Sequence, residues 1–150
     1  MKKSLIFGIL LIFSISAWAQ NSTQGKEFWF SFMENGYKVN SWNDWVETQV
    51  MVSAKRACSG TIRNPLTSWQ TTFSVGAEST VMIDIPESAG YNETYTDMVD
   101  NLGLQLTATD TVSVYVTNFA THSFDATFVL PVESLGTEYI VQCDGQSMSH

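Results

Sequence analysis

Positive charge is scarce in this chain: seven Lys and Arg stand against fifteen Asp and Glu, for a formal net charge of −8. Lys2 and Lys3 account for two of the seven, and only Lys26, Lys38, Lys55, Arg56 and Arg63 follow. With no basic stripe, nucleic acid and anionic membrane surfaces are poor partners. Cysteine is confined to Cys58 and Cys143 and histidine to His122 and His150, which match no zinc-ligand spacing. There is no Gly-x-Ser-x-Gly elbow. His122, Ser123 and Asp125 hold the residue types of a hydrolase triad, but they are nearly adjacent. A triad needs its base between nucleophile and orienter in space, so a polar hairpin turn is the better reading. Glu93, Asp97, Asp100 and Asn101 could offer oxygens to calcium, yet without an EF-hand pattern they read as a solvated acidic loop. No metal and no cofactor is expected.

The first residues read as an address. Lys2 and Lys3 form a basic start, residues 5–15 are apolar but for Gly8 and Ser14, and Ala17-Trp18-Ala19 is a small-x-small cleavage site. The apolar run is shorter than the roughly 17–25 residues a spanning helix needs. Residues 1–19 are therefore expected to be a secretory signal cut after Ala19. Gln20 follows the cut, where a lipoprotein would carry cysteine. No later segment is apolar enough to span a membrane as a helix. The expected destination is the periplasm, the outer surface or the medium.

Beyond the leader, apolar residues recur at every second position. Phe28, Phe30 and Phe32 face one way; Val46, Thr48, Val50, Val52 and Ala54 repeat the pattern. Trp69 to Val75, Val81 to Ile85, Leu102 to Leu106, Val112 to Val116 and Thr127 to Leu130 continue it. Helical spacing is weak, confined to residues 93–99 and a single turn at 132–135. Nothing resembles βαβ alternation. The expectation is an all-β fold, a two-sheet antiparallel sandwich of the immunoglobulin-like kind over residues 20–130.

Two longer connections carry the candidate binding residues. Residues 34–45 hold Tyr37, Trp42 and Trp45, and residues 86–101 hold Tyr91 and Tyr95. Loops at sandwich ends are where such scaffolds place recognition. Exposed Trp and Tyr stack on sugars or anchor a protein partner; alternatively, Trp42 and Trp45 cap the open end of the core. In an oxidising compartment a Cys58–Cys143 bridge would close a long loop and stabilise by about 4–5 kcal/mol. Two separate thiols are the alternative.

A short phrase occurs twice. Gly25-Lys26-Glu27-Phe28-Trp29-Phe30 is echoed by Gly136-Thr137-Glu138-Tyr139-Ile140-Val141. Their spacing is about one β-sandwich domain of roughly 100 residues. Pro131 and Gly136 bracket a hinge between them. Residues 131–150 are thus expected to be a hinge and the first strand of a second, incomplete β module.

The phrases GKEFWFSFMEN (25–35), SAKRACSGTI (53–62), GLQLTATDTVSVYVTN (103–118) and LPVESLGTEYIV (130–141) resemble the IgGFc-binding-protein N-terminal domain family. The resemblance covers about residues 25–142. It implies a secreted or cell-surface protein of the Bacteroidota, the front part of a longer multi-module chain ending in a sorting or gliding-motility-associated domain. Fc binding has no residue motif to carry over and is not expected. The expected function is that of an exported, non-catalytic adhesion-type module binding an unknown protein or glycan. The alternatives are a carbohydrate-binding accessory module using the loop aromatics, or a fragment of a polysaccharide-degrading enzyme.

Overall fold

The computed structural model describes residues 22–33, 35, 45–91, 101–121 and 123–140. Seven strands form: β1 Gly25–Phe30, β2 Glu47–Ala54, β3 Cys58–Arg63, β4 Gln70–Val75, β5 Ser79–Ile85, β6 Leu104–Ala120 and β7 Ser123–Val129. A one-turn helix, α1, spans Glu87–Gly90, and a 3-10 turn spans Val132–Ser134. The all-β expectation holds, and every ladder between strands is antiparallel. All seven strands belong to one hydrogen-bonded sheet.

β6 is the axis of that sheet. At 17 residues it is about three times the usual strand length. Its first half pairs β1 on one edge and β3 on the other; its second half pairs β2 and β7. β4 then adds to β3, and β5 to β2. The sequence pattern suggested two strands here, because Thr107, Thr109, Asp110 and Thr111 interrupt the apolar alternation. The strand nevertheless continues through them: the ladders to β1 and β3 reach Thr107 and Ala108, that to β2 begins at Val112, and between them β1 shifts register while the Thr111 N–H bonds the Asp110 side chain. The alternation keeps its phase across the interruption: Leu104, Leu106, Val112, Val114 and Val116 are all buried.

Those residues join Phe28, Val50, Val52, Ile62, Phe73 and Ile85 in a single apolar cluster. Residues from both halves of β6 and all its flanking strands meet there. The sheet curls onto its own inner face until it is nearly closed. Phe28, expected to seed the core, is completely buried, with Phe32 beside it and Phe30 partly so. β3 escaped the sequence reading because Cys58-Ser59-Gly60-Thr61 has no large apolar residue before Ile62. Gly60 is required there: a Cβ would overlap the Thr107 carbonyl oxygen and the Phe73 ring.

Buried polar groups fasten the ends. Asn64 donates from Nδ2 to the carbonyls of Ala89 (2.9 Å) and Asn101 (2.8 Å) and accepts the Leu66 N–H at Oδ1. Asn35 donates its backbone N–H to the Tyr91 hydroxyl (2.7 Å) and its amide to Asn118 Oδ1 (3.3 Å). Asn118 in turn donates to the Met33 carbonyl. At the middle of β6, Arg56 holds Asp110 with two N–H groups, at 2.7 and 2.9 Å. That bond first, then the Thr111 N–H, brings the Asp110 carboxyl down to about 2.

The second copy of the repeated phrase forms no strand at residues 136–140. Its first copy has β6 to pair with; a strand exists only with a neighbour. The described residues include no helix long and apolar enough to cross a membrane.

Two outcomes test this account. Phe28→Ala should lower unfolding free energy by about 3–5 kcal/mol in urea titrations; a loss below about 1 would contradict its place in the core. Asp110 has a lower carboxyl pKa folded than the roughly 3.9 of an unfolded chain, so its contribution is full above that value and vanishes as pH falls through about 2. Between pH 4.5 and 2 the melting temperature should fall more steeply for the native protein than for Asp110→Asn. Parallel slopes would mean that the Arg56 pair does not stabilise the fold.

Candidate functional site

A sheet with one face packed and one in water alternates apolar inward with polar outward. Half of this sheet obeys. On the outer side of β1, β3, β4 and the first half of β6 stand Glu27, Ser59, Thr61, Arg63, Gln70, Thr72, Ser74, Gln105 and Thr107. Trp29 is the one apolar interruption.

The other half does not. The ladders place Met82 of β5, Met51 of β2, Tyr115 of β6 and Phe128 of β7 in one row across four strands. Tyr115 and Phe128 meet edge to face, centroids 5.0 Å apart. One end of this face carries Phe119 opposite Phe124, at 6.3 Å, and Trp45 edge-on to Phe119, at 5.7 Å. Trp45, Met82, Tyr115, Phe119 and Phe124 are all exposed, Phe124 at 62%. Polar residues separate the two apolar zones: Gln49 donates to Glu47 and Asp84.

Beside this face lies an open groove of about 610 Å³. Trp29 to Met33 form one wall, and Asp125 to Leu130 the other. Its lining is mainly apolar, with Ser31, Thr117, Asn118, Asp125 and Thr127 as polar members. Leu135, Tyr139 and Ile140 are exposed farther along the chain, Ile140 completely.

The sequence candidates fall in three places. Trp45 joins the aromatic face. Tyr91 does not serve as a surface contact: it is 3% exposed, bridged to Phe32, with its hydroxyl bound by Asn35. Tyr37, Trp42 and Tyr95 lie outside the described residues. So does Cys143; Cys58 is a free thiol, half-buried against the core. His122 is outside as well, and Ser123 accepts a hydrogen bond from the Asn35 amide. Among the described residues no three His, Cys, Asp or Glu side chains gather as a metal site would require.

Tyr115, Phe119, Phe124 and Phe128 lie on strands, outside the loops where recognition is expected. The signal was present: in Val112 to Phe119, Tyr115 and Phe119 occupy the phase opposite the buried valines. Large aromatics on the solvent phase of a strand are the readable mark of a used face.

The Trp45–Phe119 contact should register as an interaction energy of about 0.5–1.5 kcal/mol in a double-mutant cycle with Trp45→Ala and Phe119→Ala. Strict additivity would show that the two rings do not support each other. No family model matches the chain, and neither a curated protein nor a solved structure matches it.

Proposed function

We propose that this chain is an exported, non-catalytic module of a bacterial surface or adhesion-type protein, which docks a protein partner through its aromatic outer face. The observation that carries the reading is the row Met82–Met51–Tyr115–Phe128 with the Trp45–Phe119–Phe124 cluster. Aromatic residues and Met are the types enriched at the centres of protein interfaces, where charge is depleted. Hydrogen-bonding groups are few on these two zones, which suits an apolar protein surface better than a sugar.

Four further features support it. The leader pattern of residues 1–19 directs export, and the family resemblance of the phrases after Gly25 belongs to secreted surface proteins. The curled sheet fits an immunoglobulin-like sandwich, with β1, β3, β4 and the start of β6 as one layer and β2, β5, β7 and the end of β6 as the other. The exposed Leu135, Tyr139 and Ile140 suit a segment beyond Pro131 that belongs to a following module.

The test is binding of the purified protein to mucin-coated surfaces and to bacterial cells, before and after periodate oxidation of their glycans. Binding that survives periodate is expected, and Phe119→Glu with Phe124→Glu should weaken it at least roughly tenfold. Thr61→Glu, on the polar half of the sheet, should leave it unchanged. The reading fails if neither surface binds the native protein, or if the double variant binds as well as the native one.

A further inference from the structure

The polar outer face carries a second arrangement that the docking surface does not use. Trp29 is 45% exposed, yet its indole is not loose: Nε1 donates to Glu27 Oε1 at 3.1 Å. The same carboxylate oxygen accepts Gln105 Nε2 at 2.7 Å, and Gln105 Oε1 accepts Arg63 Nε at 2.9 Å. Three strands thus contribute one connected line of flat side chains: indole, carboxylate, amide and guanidinium. Parallel to it, the ladders set Thr107, Thr61 and Thr72 in a row, and then Ser59 opposite Ser74. A shallow depression of about 390 Å³ opens among these hydroxyls, lined by Ser59, Thr61, Thr72, Ser74, Thr107 and Thr109.

We propose that this face binds a neutral polysaccharide chain, with Trp29 as the stacking ring and Glu27, Gln105 and Arg63 as the hydrogen-bonding row. The proposal rests on the protein being a recognition module, but it uses the polar half of the sheet and none of the docking residues.

The chemistry of the face selects the ligand. Every strand that builds it except β4 is paired on both edges or, for β1, bridged to Pro131 at its outer edge. An added peptide strand therefore finds no backbone partner at its centre. The line carries one cation, Arg63, and one anion, Glu27, joined through Gln105. Such a surface has neither the charge for nucleic acid nor the apolar area for a membrane. A pyranose presents apolar C–H faces and hydroxyls that both donate and accept. The indole face suits the first; carboxylate, amide, guanidinium and Thr hydroxyls suit the second. Arg63 commits Nε to Gln105, and its guanidinium holds further N–H donors. Because the line is already tied together, ordering it costs little on binding. The net charge of −8 disfavours polyanionic chains and leaves neutral ones.

The experiment is native gel electrophoresis of the purified protein through gels containing xyloglucan, galactomannan, mixed-linkage β-glucan, laminarin or polygalacturonate. Retardation by at least one neutral polysaccharide is expected. Trp29→Ala should weaken it at least roughly tenfold, and Gln105→Ala should weaken it with the circular dichroism spectrum and melting temperature unchanged. Phe119→Glu with Phe124→Glu should have no effect on it, which separates this site from the docking face. Should Trp29→Ala fail to fold, Thr61→Arg fills the depression from the solvent side and must abolish retardation. The proposal is overturned by an absence of retardation in every neutral gel, by retardation in polygalacturonate alone, or by folded Trp29→Ala and Gln105→Ala proteins that migrate like the native one.

Discussion

Hydrogen bonding along both edges of β6 is the constraint on which the rest of the molecule depends. Four of the other six strands pair with it directly, and β4 and β5 reach it through β3 and β2. A strand of that length can keep one face buried only if the sheet curls over it. The curl brings Leu104 and Leu106 from one end into the same cluster as Val112, Val114 and Val116 from the other. The Arg56–Asp110 pair lies at the middle of β6, where apolar side chains give way to threonine. It is solvent-exposed and therefore screened by salt; burial of the valines and Phe28 does most of the stabilising.

The outer side of the curled sheet carries two regions of different character. Their difference is built strand by strand through register. A shift of β7 by one residue against β6 would bury Phe124 and Phe128 and present Ser123 and Asp125 outward. The aromatic face therefore exists only in the native register, and the same holds for the threonine rows on the polar half of the sheet. Both surfaces report the alignment of β6 with its neighbours.

The sequence made the alternation of β2, β5 and the two apolar ends of β6 readable, because period-two burial leaves valine and isoleucine at every second position. It did not show that β6 is continuous. Ala108 is the one apolar residue between Leu106 and Val112, and the strand is held on either side of the gap, by β1 and β3 up to Ala108 and by β2 from Val112 onward. β3 was hidden for a similar reason: Gly60 is dictated by the ring of Phe73 on the next strand, a requirement no local pattern reveals. Tyr91 looked like a loop aromatic, and what buries it is a bridge to Phe32, far away along the chain. The binding surfaces were legible in part, since Trp29 and Phe119 both sit on the solvent phase of their strands. What joins Trp29 to Arg63 is the ladder order, which sequence alone does not supply.

Pro131 bridges Phe28 on the outer edge of β1, and its ring occupies the space a side chain at Gly25 would need. The Ser134 hydroxyl donates to the Ser22 carbonyl alongside. Proline has no N–H to offer another strand, so this edge is closed to further pairing. Mechanically, the arrangement is a clasp: the backbone enters and leaves the sheet at the same spot. Two separate contacts, Ser22–Ser134 and Phe28–Pro131, thus hold the incoming and outgoing backbone side by side at one edge of the sheet.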